Sequence, residues 1–245
     1  MKTELIVAII SAVVALSSAA VAIFGQLKST RLQADLEELR TAETRRFESE
    51  RAVAKFREPL ANAAYDLQSR LFNILERNLL QRYVKGGNER TRSYVIDNTT
   101  YVIAQYLAWT EIIRREIQFV DLGEDDKTRE LANLRDTIYS LWQTDSKGFG
   151  DAFRIFAGDQ RAIGEALICE GRSGPECMGY GKFKRSLKVR KNLLVEELRH
   201  DISELDLETA RARLIALQRS LIELLHFLDP KHIRFPANRR TKVKD

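Results

Sequence analysis

The sequence predicts an all-α protein: a single N-terminal transmembrane helix continuing into a helical stalk, followed by a helical-bundle domain. Three observations carry that expectation. Residues 5–27, LIVAIISAVVALSSAAVAIFGQL, hold no charge between Glu4 and Lys28. Glycine and proline are scarce, 12 and 4 of 245 residues, about half their ordinary ~12 % share. Beyond the first segment, apolar side chains recur at helical rather than alternating spacing.

At about 1.5 Å per residue, the uncharged run reaches roughly 35 Å, enough to cross a ~30 Å hydrocarbon core with slight tilt. Its small residues Ala8, Ser11, Ala15, Ser18, Ala22 and Gly25 recur in alternating steps of three and four. The register continues through Ser29 to Leu32, Leu36 and Leu39, then fails at Glu43 and Arg46. In lipid, small residues let helix backbones approach, whereas in water the same seam needs large apolar side chains. A parallel homo-oligomer along residues 8–39 accounts for both halves.

Orientation follows from the basic residues flanking the span. Lys2 and the amine lie on one side; Lys28, Arg31 and Arg40 lie on the other. The positive-inside rule then puts the C-terminal domain in the cytoplasm, the anchor being in the cell inner (plasma) membrane. A cleaved signal peptide is the alternative, because Ala20-Val21-Ala22 resembles an A-x-A site. In the cytoplasm Cys169 and Cys177 are expected as free thiols; in an oxidising compartment they could pair.

The expected organisation is an anchor, 1–27, a helical stalk, 28–58, an all-α cytoplasmic domain, 59–230, and a basic flexible tail, 231–245. Residues 28–58 interleave eight basic and seven acidic side chains with no glycine, as a solvated helix does. Pro59 suits the first turn of a new helix. Leu60, Ala64, Leu67, Leu71, Ile74 and Leu75 then mark an amphipathic face that runs to about Val84, before Gly86-Gly87.

Residues 94–120 are apolar over a wide arc. Val102, Tyr106, Trp109, Ile113 and Val120 form one stripe; Tyr101, Ala104, Ala108 and Ile112 form a second. Such a helix is central in a bundle. Its β-branched content leaves a strand alternative, but its length and the polar line of Glu111, Arg115 and Gln118 favour helix. Asp125 or Asp126 suits the start of the next helix, carrying Leu131, Leu134, Ile138 and Leu141. Residues 145–158 read as irregular, Asp159 as the cap of a short helix to Cys169, and 171–181, GRSGPECMGYG, as a loop. Two helical patterns follow, Leu194 to Leu205 and Ala210 to Leu228, as a hairpin near Asp206 or as one long helix.

The formal net charge of +5 is uneven. Residues 171–191 carry net +6 and residues 231–245 net +5, leaving −6 for the rest. Lys182, Lys184, Arg185, Lys188, Arg190 and Lys191 interleave with Phe183, Leu187 and Val189, a pattern that meets anionic headgroups while apolar side chains dip into the acyl boundary. Nucleic acid would meet the same charges through phosphates and is the less favoured partner.

Catalytic motifs are weak. Glu197/His200 and Glu223/His226 are Glu-x-x-His pairs of the type that builds di-iron sites. In a hairpin about Asp206 they would stand roughly 20 Å apart, and about 39 Å apart on one helix. Gly179-x-Gly181-Lys182 lacks the spacing and the preceding strand of a phosphate loop. Glu111, Arg114, Arg115 and Glu116 could line a polar pocket, but helical ion pairing such as Glu111–Arg115 is the simpler reading. No catalytic residue, metal or cofactor is assigned. The expected role is a membrane-tethered, self-associating interaction protein of adaptor or scaffold type. Its partners are membrane lipid, anionic headgroups, a second copy of the chain and an unspecified protein. Alternatives are a membrane-perturbing effector acting through its oligomerising helix, or a tethered enzyme or binding protein for nucleotide or nucleic acid.

Overall fold

The computed structural model describes the backbone of residues 2–116, 125–171, 174–189 and 192–244. In the first helix, side chains are described for Leu16, Ser18, residues 23–26, 28–44, Phe47 and from Lys55 onward, and thereafter for all these residues but Asp125. The chain is mostly helical. Its helices are α1 (Lys2–Glu76), α2 (Glu89–Glu116), α3 (Asp125–Gln143), α4 (Ala157–Leu167), α5 (Tyr180–Val189), α6 (Leu193–Ser203) and α7 (Leu207–Leu228). Among the described residues, strands β1 (Ile168–Gly171) and β2 (Gly174–Cys177), a π-helical turn (Gln81–Lys85) and a 3-10 turn (Ala237–Arg239) accompany them.

Contacts divide the chain into Met1–Glu50 and Arg51–Asp245. The first unit is helical, and each of its described side chains is exposed. Among the described residues, no helix is long and apolar enough to cross a membrane. Most side chains of residues 5–22 lie outside the described set, so the anchor expectation falls largely outside it.

The second unit is built around α2, whose buried residues include Ile103, Ala104, Ala108 and Ile112, each fully enclosed. Leu67 and Leu71 of α1 and Leu214, Leu217, Leu221 and Leu224 of α7 belong to the same core. Helix α4 lies against α2 and crosses it at Gly164, where an added Cβ would stand 2.7 Å from the carbonyl oxygen of Leu107. Helix α6 packs on α2 and α4, while α3 packs on α7. Asn192 caps α6 by accepting the Val195 N–H at 3.2 Å, and Asp206 caps α7 by accepting the Glu208 N–H at 3.1 Å. These caps each satisfy a donor that the first turn leaves without a partner.

Several local expectations are corrected. Pro59 does not begin a helix; it lies inside α1. A proline there forfeits an N–H bond, and Phe56, Leu60, Ala63, Ala64 and Leu67, all buried around it, hold the helix through the defect. The 171–181 loop contains β2 and the start of α5, because Ile168 to Gly171 pairs antiparallel with Gly174 to Cys177. Gly174, at φ +112°, supplies a left-handed conformation beside the turn. Phe156 occupies the cap position of α4, with Asp159 in its first turn, and Cys169 lies in β1. Residues 193–228 form two helices with a break at 204–206.

The tail expected to be flexible is packed onto the domain. Phe235 and Val243 are buried, Tyr65 and Phe235 stack at 4.6 Å, and Gln218 donates to the Thr241 carbonyl at 2.9 Å. Composition indicated a solvated tail; two well-spaced apolar side chains and the backbone groups around them decide otherwise. Gln118 and Val120 lie outside the described residues.

Candidate functional site

The residues expected to form a seam all lie on α1. Leu32, Leu36 and Leu39 are 59 %, 46 % and 62 % exposed, although each is a large apolar side chain. Ser18 is exposed and Gly25 has open space where a side chain would stand. The side chains of Ala8, Ser11, Ala15 and Ala22 lie outside the described set. Leu16, Ile23, Phe24 and Phe47 are exposed as well. Between them the surface is charged: Asp35, Glu37, Glu38 and Arg40 are all exposed. Three exposed leucines at helical spacing amid charges make a narrow apolar strip of the kind a partner helix covers.

The basic run does not act as one set. Phe183 is buried and anchors α5 to the core, in tilted contact with Tyr101 at 5.5 Å. Lys184 is drawn inward to pair with Asp97, a carboxylate that also receives Arg199 at 2.8 Å and the Ser93 hydroxyl at 3.1 Å. Asp97 is 1 % exposed, so these partners stabilise a charge that burial alone would penalise. Lys182, Arg185 and Lys188 remain exposed, as do Val189 at the end of α5 and Leu193 at the start of α6, at 84 % and 71 %. Arg190 and Lys191 lie outside the described residues. The helix thus separates one structural lysine from a cationic, partly apolar outer face.

The two Glu-x-x-His pairs sit on α6 and α7. His200 is exposed; His226 Nδ1 lies 3.7 Å from Glu223 Oε2, and its ring meets that of His232 edge-on at 5.6 Å. Glu223 also receives Lys242, whose hydrogen bond is the main cause holding its carboxyl below the ordinary range. Among the described residues, no three His, Cys, Asp or Glu side chains converge on a metal position.

Cys169 pairs across the ribbon with Glu176, and Cys177 with Ile168. Paired residues share a face and adjacent ones alternate, which puts the two thiols on opposite faces. Both are free, and burial, with a smaller contribution from Cys169, pushes the Cys177 thiol up to about 12. A thiol held protonated is a poor nucleophile.

Glu111 is 3 % exposed and is clasped by Arg114 at 2.7 Å and by Arg115 at 2.7 Å. Burial works against its ionisation, but the two guanidinium groups outweigh it and hold the carboxyl low. The helical ion pair expected from the sequence is present, widened to three residues. Glu165 joins it through Arg115.

The charged groups most committed to the fold lacked a motif. Arg213, fully buried, donates to the carbonyls of Leu141, Trp142, Thr144, Gly150 and Ala152 at 2.6–3.3 Å. It organises the irregular stretch that joins α3 to α4. Its position, three after Ala210 and four before Leu217, is on the apolar stripe of α7, the one signal that could have marked it. Comparison with protein-family models, curated proteins and solved structures finds no match for the chain.

Proposed function

We propose that the chain is a membrane-tethered, self-associating interaction protein: residues 5–27 anchor it, and a second copy docks along α1 through Leu32, Leu36 and Leu39. The observation that carries this reading is one register shared by small residues in the uncharged run and by three exposed leucines beyond it. A second copy suits the strip better than an unrelated helix does. A parallel copy presents small residues where backbones must approach in lipid, and leucines where water drives burial. The proposed orientation leaves the larger unit in the cytoplasm, tethered near an inner leaflet that Lys182, Arg185 and Lys188 complement in charge.

The test is disulfide crosslinking in native membranes. In a chain with Cys169→Ser and Cys177→Ser, single substitutions Leu32→Cys, Leu36→Cys and Leu39→Cys give dimers on mild oxidation. Gln33→Cys and Glu37→Cys give little. Adding Ala15→Phe reduces all three crosslinks, because a bulky side chain separates the backbones. Equal crosslinking at seam and off-seam positions would overturn the docking; extraction of the chain by alkaline wash would overturn the anchor.

A further inference from the structure

The leucine strip of α1 carries charges on both of its edges, and their order along the helix is specific. Alternating steps of three and four put Ser29 and Leu36 at the a positions of a heptad, and Leu32 and Leu39 at the d positions. The residues flanking that seam are then Lys28 and Asp35 at g, and Gln33 and Arg40 at e. All four are exposed. Within the helix, Arg31 stands four residues before Asp35, and Glu37 and Glu43 stand three residues to either side of Arg40. Helical neighbours at such spacings can pair. Among the described residues, neither Asp35 nor Arg40 has an ion-pair partner. Two opposite charges therefore stand free on the flanks of an exposed apolar strip.

In a parallel, in-register pair of helices, a g side chain meets the e side chain five residues further along the other copy. Asp35 of each copy then meets Arg40 of the other, and two-fold symmetry makes the contact twice. Lys28 meets the neutral Gln33. A slip by one heptad destroys this match. It sets Asp35 against Gln33 and Phe47, and it brings Lys28 against Arg40, a like-charged pair. It also sets Leu36 and Leu39 against Glu43 and Arg46. The true register thus gains an attraction that its nearest competitor replaces with a repulsion, which is how a specific interface discriminates.

We infer that Asp35 and Arg40 form an interchain ion pair that locks two copies of this chain in register, so that the strip selects an identical chain over an unrelated helix. This inference rests on the self-association proposed above and adds the charges that choose the partner and its alignment.

The test uses the full chain in native membranes, with Cys169→Ser and Cys177→Ser, and with Leu36→Cys as the crosslinking reporter. Adding Asp35→Arg opposes cations across the seam and is expected to lower dimer crosslinking about threefold or more at low expression. Arg40→Asp opposes anions and has the same effect. Both substitutions in one chain recreate the attraction with its signs exchanged, and crosslinking returns to the parent level. Co-expressed with tags of different size, the Asp35→Arg chain and the Arg40→Asp chain crosslink to each other beyond the half that random pairing gives. Gln33→Glu raises crosslinking, because it supplies Lys28 with an opposite charge; in the slipped register it would face Asp35 and lower it. Random assortment of the two variants, or charge reversal without effect while the parent still crosslinks, overturns the ion pair and leaves docking through the leucines standing. Lower crosslinking with Gln33→Glu overturns the register. A parent that fails to crosslink through Leu36→Cys overturns the docking itself, and the ion pair with it.

Discussion

Arg213 carries a charge into the core and repays its desolvation with five carbonyl oxygens from the α3–α4 connection. Replacing it by methionine fills similar space but leaves those carbonyls without a donor. A loss of about 3 kcal/mol or more is expected, read as a melt lowered by roughly 6–12 °C in the detergent-solubilised chain. Asp229 plays the matching part at the other end. Its carboxylate accepts the N–H groups of Ile233, Arg234 and Phe235 at 3.0–3.2 Å and pairs with Arg240. Burial opposes ionisation, but these partners prevail and hold the carboxyl below its ordinary 3.8. A depressed carboxyl stabilises the fold above that ordinary value, and the contribution is lost as pH falls through the folded one. The melt of Asp229→Asn is therefore lower than that of the parent at pH 7. The difference narrows as the pH is taken below about 4, which a pair of pH-melting curves will show.

At the scale of elements, periodicity explains most of what formed. Leu60, Leu67, Leu71 and Ile74 on α1 are buried at the predicted spacing, as are Leu214, Leu217, Leu221 and Leu224 on α7. The β hairpin was missed because its four-residue strands carry two glycines and a proline, side chains that argue against a strand wherever they occur. Its register pairs residues three to nine positions apart, from Gly171 with Gly174 to Ile168 with Cys177, a relation that the preferences of single residues do not record. Closeness of elements is equally invisible in sequence. Gly164 reads as an ordinary helical glycine, but α2 passes so near that Gly164→Ala would press a methyl group against the Leu107 carbonyl. Overpacking of this kind costs about 1–3 kcal/mol. Chemical denaturation is expected to show the loss, with an unchanged slope if the fold itself is kept.

On the scale of the whole molecule, charge divides into structural and outward-facing sets. Lys184 serves Asp97, whereas Lys182, Arg185 and Lys188 face outward. If this outer face meets anionic lipid, amide exchange over residues 180–189 slows in nanodiscs of anionic lipid relative to neutral lipid. Reversing Lys182, Arg185 and Lys188 to glutamate removes the difference. Lys184→Glu instead lowers the melt in both, because it sets a second carboxylate beside Asp97. Equal exchange in the two lipids would exclude headgroup contact by α5.

The sequence by itself determined the helical class, the uncharged run at 5–27, the seam register and the apolar faces of the larger unit. These are local or periodic properties, set by the spacing of side chains along a helix. Tertiary structure alone decided which charges went inside. Asp97, Arg213, Asp229 and Arg240 resemble their exposed neighbours in composition and differ in the partners that folding brings to them, from distant parts of the chain for Asp97 and Arg213 and from the folded-back tail for Asp229. It also decided the fate of the tail. Burial of a polar group is favourable only when its partners arrive with it, and that condition is met by the packing of helices rather than by the order of residues.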